Sequence, residues 1–600
     1  MTDFKLKSAR TTTLIILAIT LAACSGAPEK DTQVTRPQRQ VGTSTQPGEV
    51  SLQLPTSEFS AEFAAADYAL SRFDWMQAEI ALAPVEEQIL TRDDATYLGY
   101  QQARIAWLQG NQQQTLDSLR TLDQPGAHPA LVYRLRNMRR HILELQGEHL
   151  ASAQLGTRLL STTPQADRAA LSRDIWRNLQ REDPEALAGT AVATSDTQLK
   201  GWRELALISR QEPTQIKSAL QQWQMNYPGH PAADPLPGGL SHLLGETATL
   251  DTVALMLPLS GRLAPAGSAI RDGYLAHYYA ARINGPAPRD LLILDSDNYH
   301  SPLEAYNDAV LQGANLVIGP LSKQAVGQLA ALPQRPVPVV ALNRIDGAAT
   351  AGTSALVQLS LAPEDEATRI AEIAFGQGGR RALILRPAGA WGNKMELALQ
   401  QRWSSLGGSV ANSVSYNNQE DYSANMKAGL GLEASDSRRL RVRDMLAADV
   451  EFTPRRRQDL DVVFLLARDG AQARSVKPLL AFHYAGDLPV YATSSIYSGF
   501  PDERDKDLDG TVLVDSPWLL GHSPALRVAI TMGGTGSDSY TRLNALGADA
   551  FLLQTRLSQL RAGPDVLLQG NTGLLSLNPQ LQILREPAPA TFDGGALKPL

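Results

Sequence analysis

The residue best equipped for covalent chemistry is Cys24, the only cysteine among 600 residues. It follows Leu21-Ala22-Ala23, which closes a short apolar run from Leu14, and that run follows Lys5, Lys7 and Arg10. A positive start, a short apolar core and small residues at a cleavage point make a secretory leader over residues 1–23. The run is too short for a membrane-spanning helix, which needs about 20 apolar residues. A cysteine directly after such a leader is where bacterial lipoprotein signals place theirs. The thiol takes a diacylglyceryl group through a thioether, the leader is cut away, and the new amine of Cys24 is acylated. Several acyl chains exceed what stable membrane anchoring requires. The plainer alternative is an ordinary leader with a chance cysteine. A single cysteine excludes an intramolecular disulfide and a Cys-rich zinc site.

Other chemistry is sparse. There is no His-Glu-x-x-His zinc helix, Gly-x-Ser-x-Gly elbow, Walker-type loop or Ser-x-x-Lys motif. The expectation is a protein that is not an enzyme and needs no metal or cofactor. Asp505-Lys506-Asp507-Leu508-Asp509-Gly510 imitates the start of a calcium loop, but the twelfth position, which needs a bidentate Glu, is Ser516. A solvated acidic turn is the expectation there. Gly533-Gly534-Thr535-Gly536 lacks the strand and helix of a dinucleotide fingerprint and reads as a loop. The net charge of −7 supplies no bulk positive field, so no nucleic acid partner is expected. Against that background stand Arg438, Arg439, Arg441 and Arg443, then Arg455, Arg456 and Arg457. They could meet carboxylates of a protein partner or an anionic polymer such as peptidoglycan. Equally, they could form a solvated face paired with Asp436, Asp444, Asp449 and Asp459.

The elements that must carry these residues fall into distinct stretches. Residues 24–57 are rich in Gly, Pro, Ser, Thr and Gln and read as a disordered tether after the lipidated cysteine. Fully extended it would reach ~110 Å; as a flexible coil it would average ~30–35 Å. Residues 58–228 show helical periodicity. Tight turns near Asp74, Gly110 and Gly147 recur at nearly the tetratricopeptide period, each flanked by apolar helices. Further helices are predicted at 166–181, 198–210 and 213–226, with Trp176, Trp202 and Trp223 as core. A Pro/Gly-rich linker is placed at 229–249.

Residues 250–600 alternate apolar strands and helices. Strands are predicted at Thr252–Leu257, Leu291–Asp295, Ala314–Ile318, Val337–Leu342, Ala382–Arg386, Val410–Tyr416, Asp461–Leu466, Pro489–Ala492 and Val512–Asp515. Such βαβ alternation predicts parallel sheets with helices on both faces. Its length exceeds one doubly wound unit, so two lobes with a cleft at the strands' carboxyl ends are expected. Ser260, Gly319, Asn343 and Trp391 lie just after strands and are the candidate cleft residues. A last strand–turn–strand is predicted over Gly570–Glu586, burying Leu574, Leu577, Ile583 and Leu584.

Val253-Ala254-Leu255-Met256-Leu257-Pro258-Leu259-Ser260-Gly261, Ile318-Gly319-Pro320-Leu321 and the segment from Ala382 to Trp391 resemble the strand–loop units of type I periplasmic-binding-protein folds. More narrowly the chain resembles the LppC family of outer-membrane lipoproteins. The likeness lies in Ala269-Ile270-Arg271-Asp272-Gly273-Tyr274, Pro454-Arg455-Arg456-Arg457-Gln458-Asp459, Asp515-Ser516-Pro517-Trp518 and Leu546-Gly547-Ala548-Asp549-Ala550, and in the order of the stretches. The fold class implied is α + α/β, a TPR-like helical domain followed by a two-lobed binding-protein-like domain.

The resemblance also implies a function. The chain would sit on the inner leaflet of the outer membrane through its N-terminal lipid and face the periplasm; Ser25 rather than Asp after Cys24 fits that sorting. It would dock on a class A bifunctional penicillin-binding protein and stimulate its transpeptidase. The first docking candidates are Arg455, Arg456 and Arg457 with Asp515, Pro517 and Trp518. The rival is a lipid-anchored receptor gripping an amino acid or peptide through Ser260 and Asn343, and a third reading is a scaffold built on the helical array.

Overall fold

The computed structural model describes residues 52–189, 196–211, 213–245, 250–284, 287–346, 356–448, 451–532, 540–563 and 565–600. Cys24, most of the expected tether, Asp449 and the loop at 533–536 lie outside them.

The first half is helical. Three hairpins pair Ser60–Ser71 with Trp75–Glu86, Arg92–Leu108 with Gln112–Leu122, and Pro129–Leu145 with His149–Leu160. The local causes are visible at the turns. The Asp74 carboxylate accepts from Gln77 N at 3.1 Å and starts the second helix. Gly110 and Gly147 stand at φ +87° and +85°, a region that a Cβ disfavours, where the helices before them must reverse. Helices Gln165–Arg181, Thr197–Ser209 and Pro213–Asn226 follow, and Trp176, Trp202 and Trp223 are all fully buried among them.

The second half holds two parallel sheets of the same strand order. The first consists of β1 (Thr252–Leu257), β2 (Asp290–Asp295), β3 (Leu316–Ile318), β4 (Val339–Ala341) and β5 (Leu356–Gln358), in the order β2-β1-β3-β4-β5. The second consists of β6 (Arg381–Pro387), β7 (Ser409–Tyr416), β8 (Val462–Leu465), β9 (Val490–Ala492) and β10 (Thr511–Asp515), in the order β7-β6-β8-β9-β10. A small antiparallel sheet follows, β11 (Leu568–Gln569), β12 (Leu574–Leu577) and β13 (Ile583–Glu586). The chain then returns to the second sheet, where β14 (Ala588–Asp593) pairs antiparallel with β10 and β15 (Ala596–Pro599) with β14. Strands β1, β3, β4, β8 and β9 are apolar and almost wholly buried, as strands covered by helices on both faces must be.

One expected core residue is corrected. Leu574, Leu577 and Ile583 are buried, but Leu584 is 38% exposed. Side chains alternate along a strand, so with Ile583 turned inward its neighbour must face out.

Two glycines from the sequence motifs explain one close packing of helices. Helix Ala264–Asn284 lies against helix Thr541–Leu560. A Cβ on Gly273 would sit 1.9 Å from the Asn544 carbonyl oxygen, and one on Gly547 would sit 2.0 Å from that of Ile270. Each glycine thus lets the partner backbone approach. Asn544 Nδ2 donates to Ala269 O at 2.8 Å across the same seam.

The helical half shares an apolar core with the second sheet: Trp107, Leu119 and Ile142 cluster with Ile370, Phe375 and Trp403. Arg380 closes this seam, donating twice to Trp107 O at 2.9 and 2.6 Å and lying 3.7 Å from the Phe375 ring centre. Burial holds the Arg380 guanidinium down at about 10, with the Asp461 charge pulling the other way. On the first-sheet side, Gln559 donates to Gly238 O at 2.7 Å and Arg556 to Gln211 O at 2.9 Å.

Candidate functional site

The loops at the carboxyl ends of the parallel strands are where such sheets place ligands. All four candidate cleft residues are engaged by the scaffold. Gly319 stands at φ +116°, and a Cβ there would lie 2.0 Å from Met256 O, so close backbone approach explains the glycine. Asn343 donates from Nδ2 to Leu321 O at 2.9 Å and accepts from Arg344 N at 2.9 Å, tying two loops together. Trp391 is half-buried against the core of the second sheet. Ser260 is the exposed one of the four, and its hydroxyl and backbone N–H both bond the Asp295 carboxylate.

Across the mouth of this cleft, Lys394 of helix Ala390–Leu406 reaches Asp346, beyond β4, at 3.0 Å, and it also pairs with Glu364. Lys323 approaches Asp346 from the first-sheet side at 3.6 Å. Burial works against the Lys394 charge, yet hydrogen bonds to Glu364 and Asp346 outweigh it and raise the ammonium above its ordinary value. The two lobes are therefore bridged over the strand ends.

Behind the cleft, a buried charge network ties the three chain crossings between the sheets. Arg344 binds both oxygens of Asp365, at 3.0 and 3.1 Å, and Ile583 O at 2.6 Å. Arg585, 1% exposed, lies 3.6 Å from Glu366. Glu366 in turn accepts from Ser494 N and Oγ, both at 3.0 Å. Burial pushes the Glu366 carboxyl up, with Arg585 pulling the other way. Arg542 binds Asp515 at 2.8 and 2.5 Å and the carbonyls of Ser494 and Tyr497 at 3.1 and 3.0 Å.

That network corrects one set of docking candidates. Asp515, Pro517 and Trp518 are not surface residues. Asp515 is fully buried against Arg542, and Trp518 is 1% exposed, packed on Ile530, Ala545 and Ala548. Strand β10 runs directly into the crossing between lobes, so its motif builds the joint. The arginines divide as well. Arg456 donates to Tyr484 O at 3.1 Å and Asp487 at 2.6 Å. Arg457 grips Asp459 with two bonds of 2.7 Å and caps Ala411 O at 3.1 Å. The Arg457 hydrogen bonds hold the Asp459 carboxyl down at about 2. Arg455 alone of the three is exposed.

The calcium-loop imitation has internal work of its own. Asp505 is buried against Arg474 at 2.6 Å, and Asp509 accepts from Gly595 N at 2.8 Å. These bonds tie the segment to Arg474 and to the β14–β15 hairpin, while Lys506 and Asp507 stay in solvent.

Two features escaped the sequence reading. The first is a crevice of about 1310 Å³ between the helical half and both lobes, with Arg181, Arg369, Glu144 and Glu586 among its lining residues. The second is a protruding helix, Leu432–Leu446, of which only Leu432 and Ser435 are buried. Its arginines were visible in the sequence; its standing clear of the domain was not. Among the described residues no helix is long and apolar enough to cross a membrane.

Two sheets of identical order, joined by three crossings and fronted by helical hairpins, define a type I periplasmic-binding-protein-like domain carrying a TPR-like array. The family model described as "LppC putative lipoprotein" matches residues 56–595, and the chain belongs to that family. It is similar over its whole length to the penicillin-binding protein activator LpoA of Aliivibrio fischeri, with 26% identity covering 98% of each chain. The protein of the same name from Vibrio cholerae is 28% identical over 70% of each. In fold it is similar to a crystal structure of full-length LpoA from Haemophilus influenzae, with a TM-score of 0.50, 23% identity, and coverage of 91% of this chain and 95% of that one.

Proposed function

We propose that the chain is a lipid-anchored regulator of peptidoglycan synthesis rather than an enzyme. Acylated at Cys24, it sits on the inner leaflet of the outer membrane, and the helical array of residues 58–228 carries the domain of residues 250–600 toward a class A bifunctional penicillin-binding protein. Docking there stimulates the transpeptidase. To do so, the chain must bind the active conformation of the synthase better than the inactive one.

The observation that carries this reading is the full-length similarity to proteins named as activators of penicillin-binding proteins. The cleft supports it over a small-ligand receptor, because Gly319 and Asn343 hold loops and Lys394 bridges the lobes. The reading is tested by immobilising the class A synthase of the same organism and measuring binding of the mature chain. Saturable binding is expected, with none to a monofunctional transpeptidase; equal binding to both, or to neither, contradicts it. Radiolabelled palmitate should enter the wild-type chain and not Cys24→Ser.

A further inference from the structure

Helix Leu432–Leu446 leaves the second lobe after Gly431, and from Asp436 on it is exposed except at half-buried Arg439. It carries Arg438, Arg441 and Arg443 at the surface, interleaved with apolar side chains that cover nothing: Met445 is 79% exposed and Leu446 64%. The segment that returns from the helix is held to its base, Arg455 N donating to Ser435 Oγ at 3.3 Å. The next residue, Arg456, binds Tyr484 O at 3.1 Å, which places a second exposed pair near the base of the helix. These are Phe482, 72% exposed, and Tyr484, 53% exposed.

Three properties set this face apart. Its composition of Arg, Met, Phe and Tyr is that of protein–protein contact cores. Tyr484 stands at φ +61° just past the end of helix Gly470–Phe482, where Tyr484 N donates to Ala481 O at 3.1 Å and Ala485 N to Leu480 O at 2.7 Å, and this helix end leaves its ring half-exposed. And three exposed arginines, Arg438, Arg441 and Arg443, stand within six residues on a chain whose net charge is −7.

We propose that helix Leu432–Leu446 with Phe482 and Tyr484 is the docking face for the synthase, and that it receives an acidic protein surface with an apolar seat. This rests on the functional reading above and adds the place and chemistry of the contact. A membrane is the less suitable occupant. Arginines and apolar residues alternate around the helix instead of separating into a wide apolar face and a polar one, as a helix lying on lipid requires. Asp444 and Asp487 pair with Arg443 and Arg456, at 3.1 and 2.6 Å, so the face lacks the uniform positive charge that an anionic bilayer attracts.

The test compares the mature wild-type chain with Arg438→Glu/Arg441→Glu/Arg443→Glu and, separately, with Met445→Ser/Phe482→Ser. Binding to immobilised class A synthase, flotation with phosphatidylglycerol vesicles and thermal melting are measured. Wild-type binding should weaken as salt rises, and the charge reversal should weaken it about ten-fold or more. The apolar variant should also bind more weakly, and both should melt as wild type does. If wild type binds and both variants bind equally well, the face is not the docking site and the functional reading stands. If the charge reversal abolishes vesicle flotation while synthase binding is kept, the face belongs to a membrane and the proposal falls. If wild type does not bind the synthase, the functional reading fails and this proposal with it.

Discussion

Arg181, the last residue of helix Gln165–Arg181, donates to both carboxylate oxygens of Glu586 on β13, at 2.8 and 3.0 Å. Its remaining arm reaches Glu144, on a neighbouring helix of the array, at 2.9 Å. One guanidinium thus joins two helices of the first half to the strand from which the chain makes its last crossing. Burial opposes both carboxylates, but at Glu586 the Arg181 charge outweighs it and lowers that carboxyl. At Glu144 the His141 hydrogen bond and Arg181 bring the carboxyl from 4.5 down to about 2.

This clamp predicts an acid-sensitive joint. A carboxyl lowered in the folded state contributes stability that is complete above its unfolded value and is lost as pH falls through its folded one. The loss should therefore run from about pH 4.5 down toward pH 2. Glu586→Gln leaves Arg181 short of a partner and should cost about 2–4 kcal/mol at neutral pH, measured by denaturant unfolding. It should also show a smaller further loss between neutral pH and pH 3 than wild type. Equal acid losses would contradict the assignment.

Two glycines, one in the seam between helices Ala264–Asn284 and Thr541–Leu560 and one outside it, predict substitutions of opposite sign. Gly273→Val drives a side chain into Asn544 O and should cost about 3 kcal/mol or more. Gly327, in helix Lys323–Ala330, has open space where a Cβ would go. There Gly327→Ala should gain up to about 1 kcal/mol, since alanine is the better helix former. Melting of the two purified variants decides both.

Asp515 predicts a stability phenotype rather than a docking one. Asp515→Asn leaves the Arg542 guanidinium without its counter-charge and should cost about 2–4 kcal/mol, below the full cost for a sealed site because Arg542 keeps some exposure. Below its melting temperature the variant should bind the synthase as wild type does. A large affinity loss in a well-folded Asp515→Asn would return this residue to the docking surface.

Much of the architecture was legible, and the reason is patterning. The apolar runs at 253–257 and 462–467 are bounded by polar or Gly/Pro residues, so strands and their parallel pairing followed. The hairpin turns announced themselves through Gly110 and Gly147. Strand β5 has only three residues, and β14 reads Ala-Pro-Ala-Thr-Phe-Asp, with neither an apolar run nor strict alternation. Its place comes from pairing with β10, a contact between distant segments that no local pattern encodes. The site was harder for the same reason. Residue type marks Trp518 and Arg456 as capable of recognition, but burial decides whether they recognise a partner or their own fold, and burial is a property of the assembled chain.

The most direct measurement adds the mature chain to the class A synthase of the same organism with lipid-linked precursor, and quantifies cross-linked and uncross-linked product. A rise in the cross-linked fraction, kept in Ser260→Ala and reduced in Arg438→Glu/Arg441→Glu/Arg443→Glu, is the predicted result. An unchanged cross-linked fraction, with the synthase demonstrably active and the chain folded, would contradict the activator account.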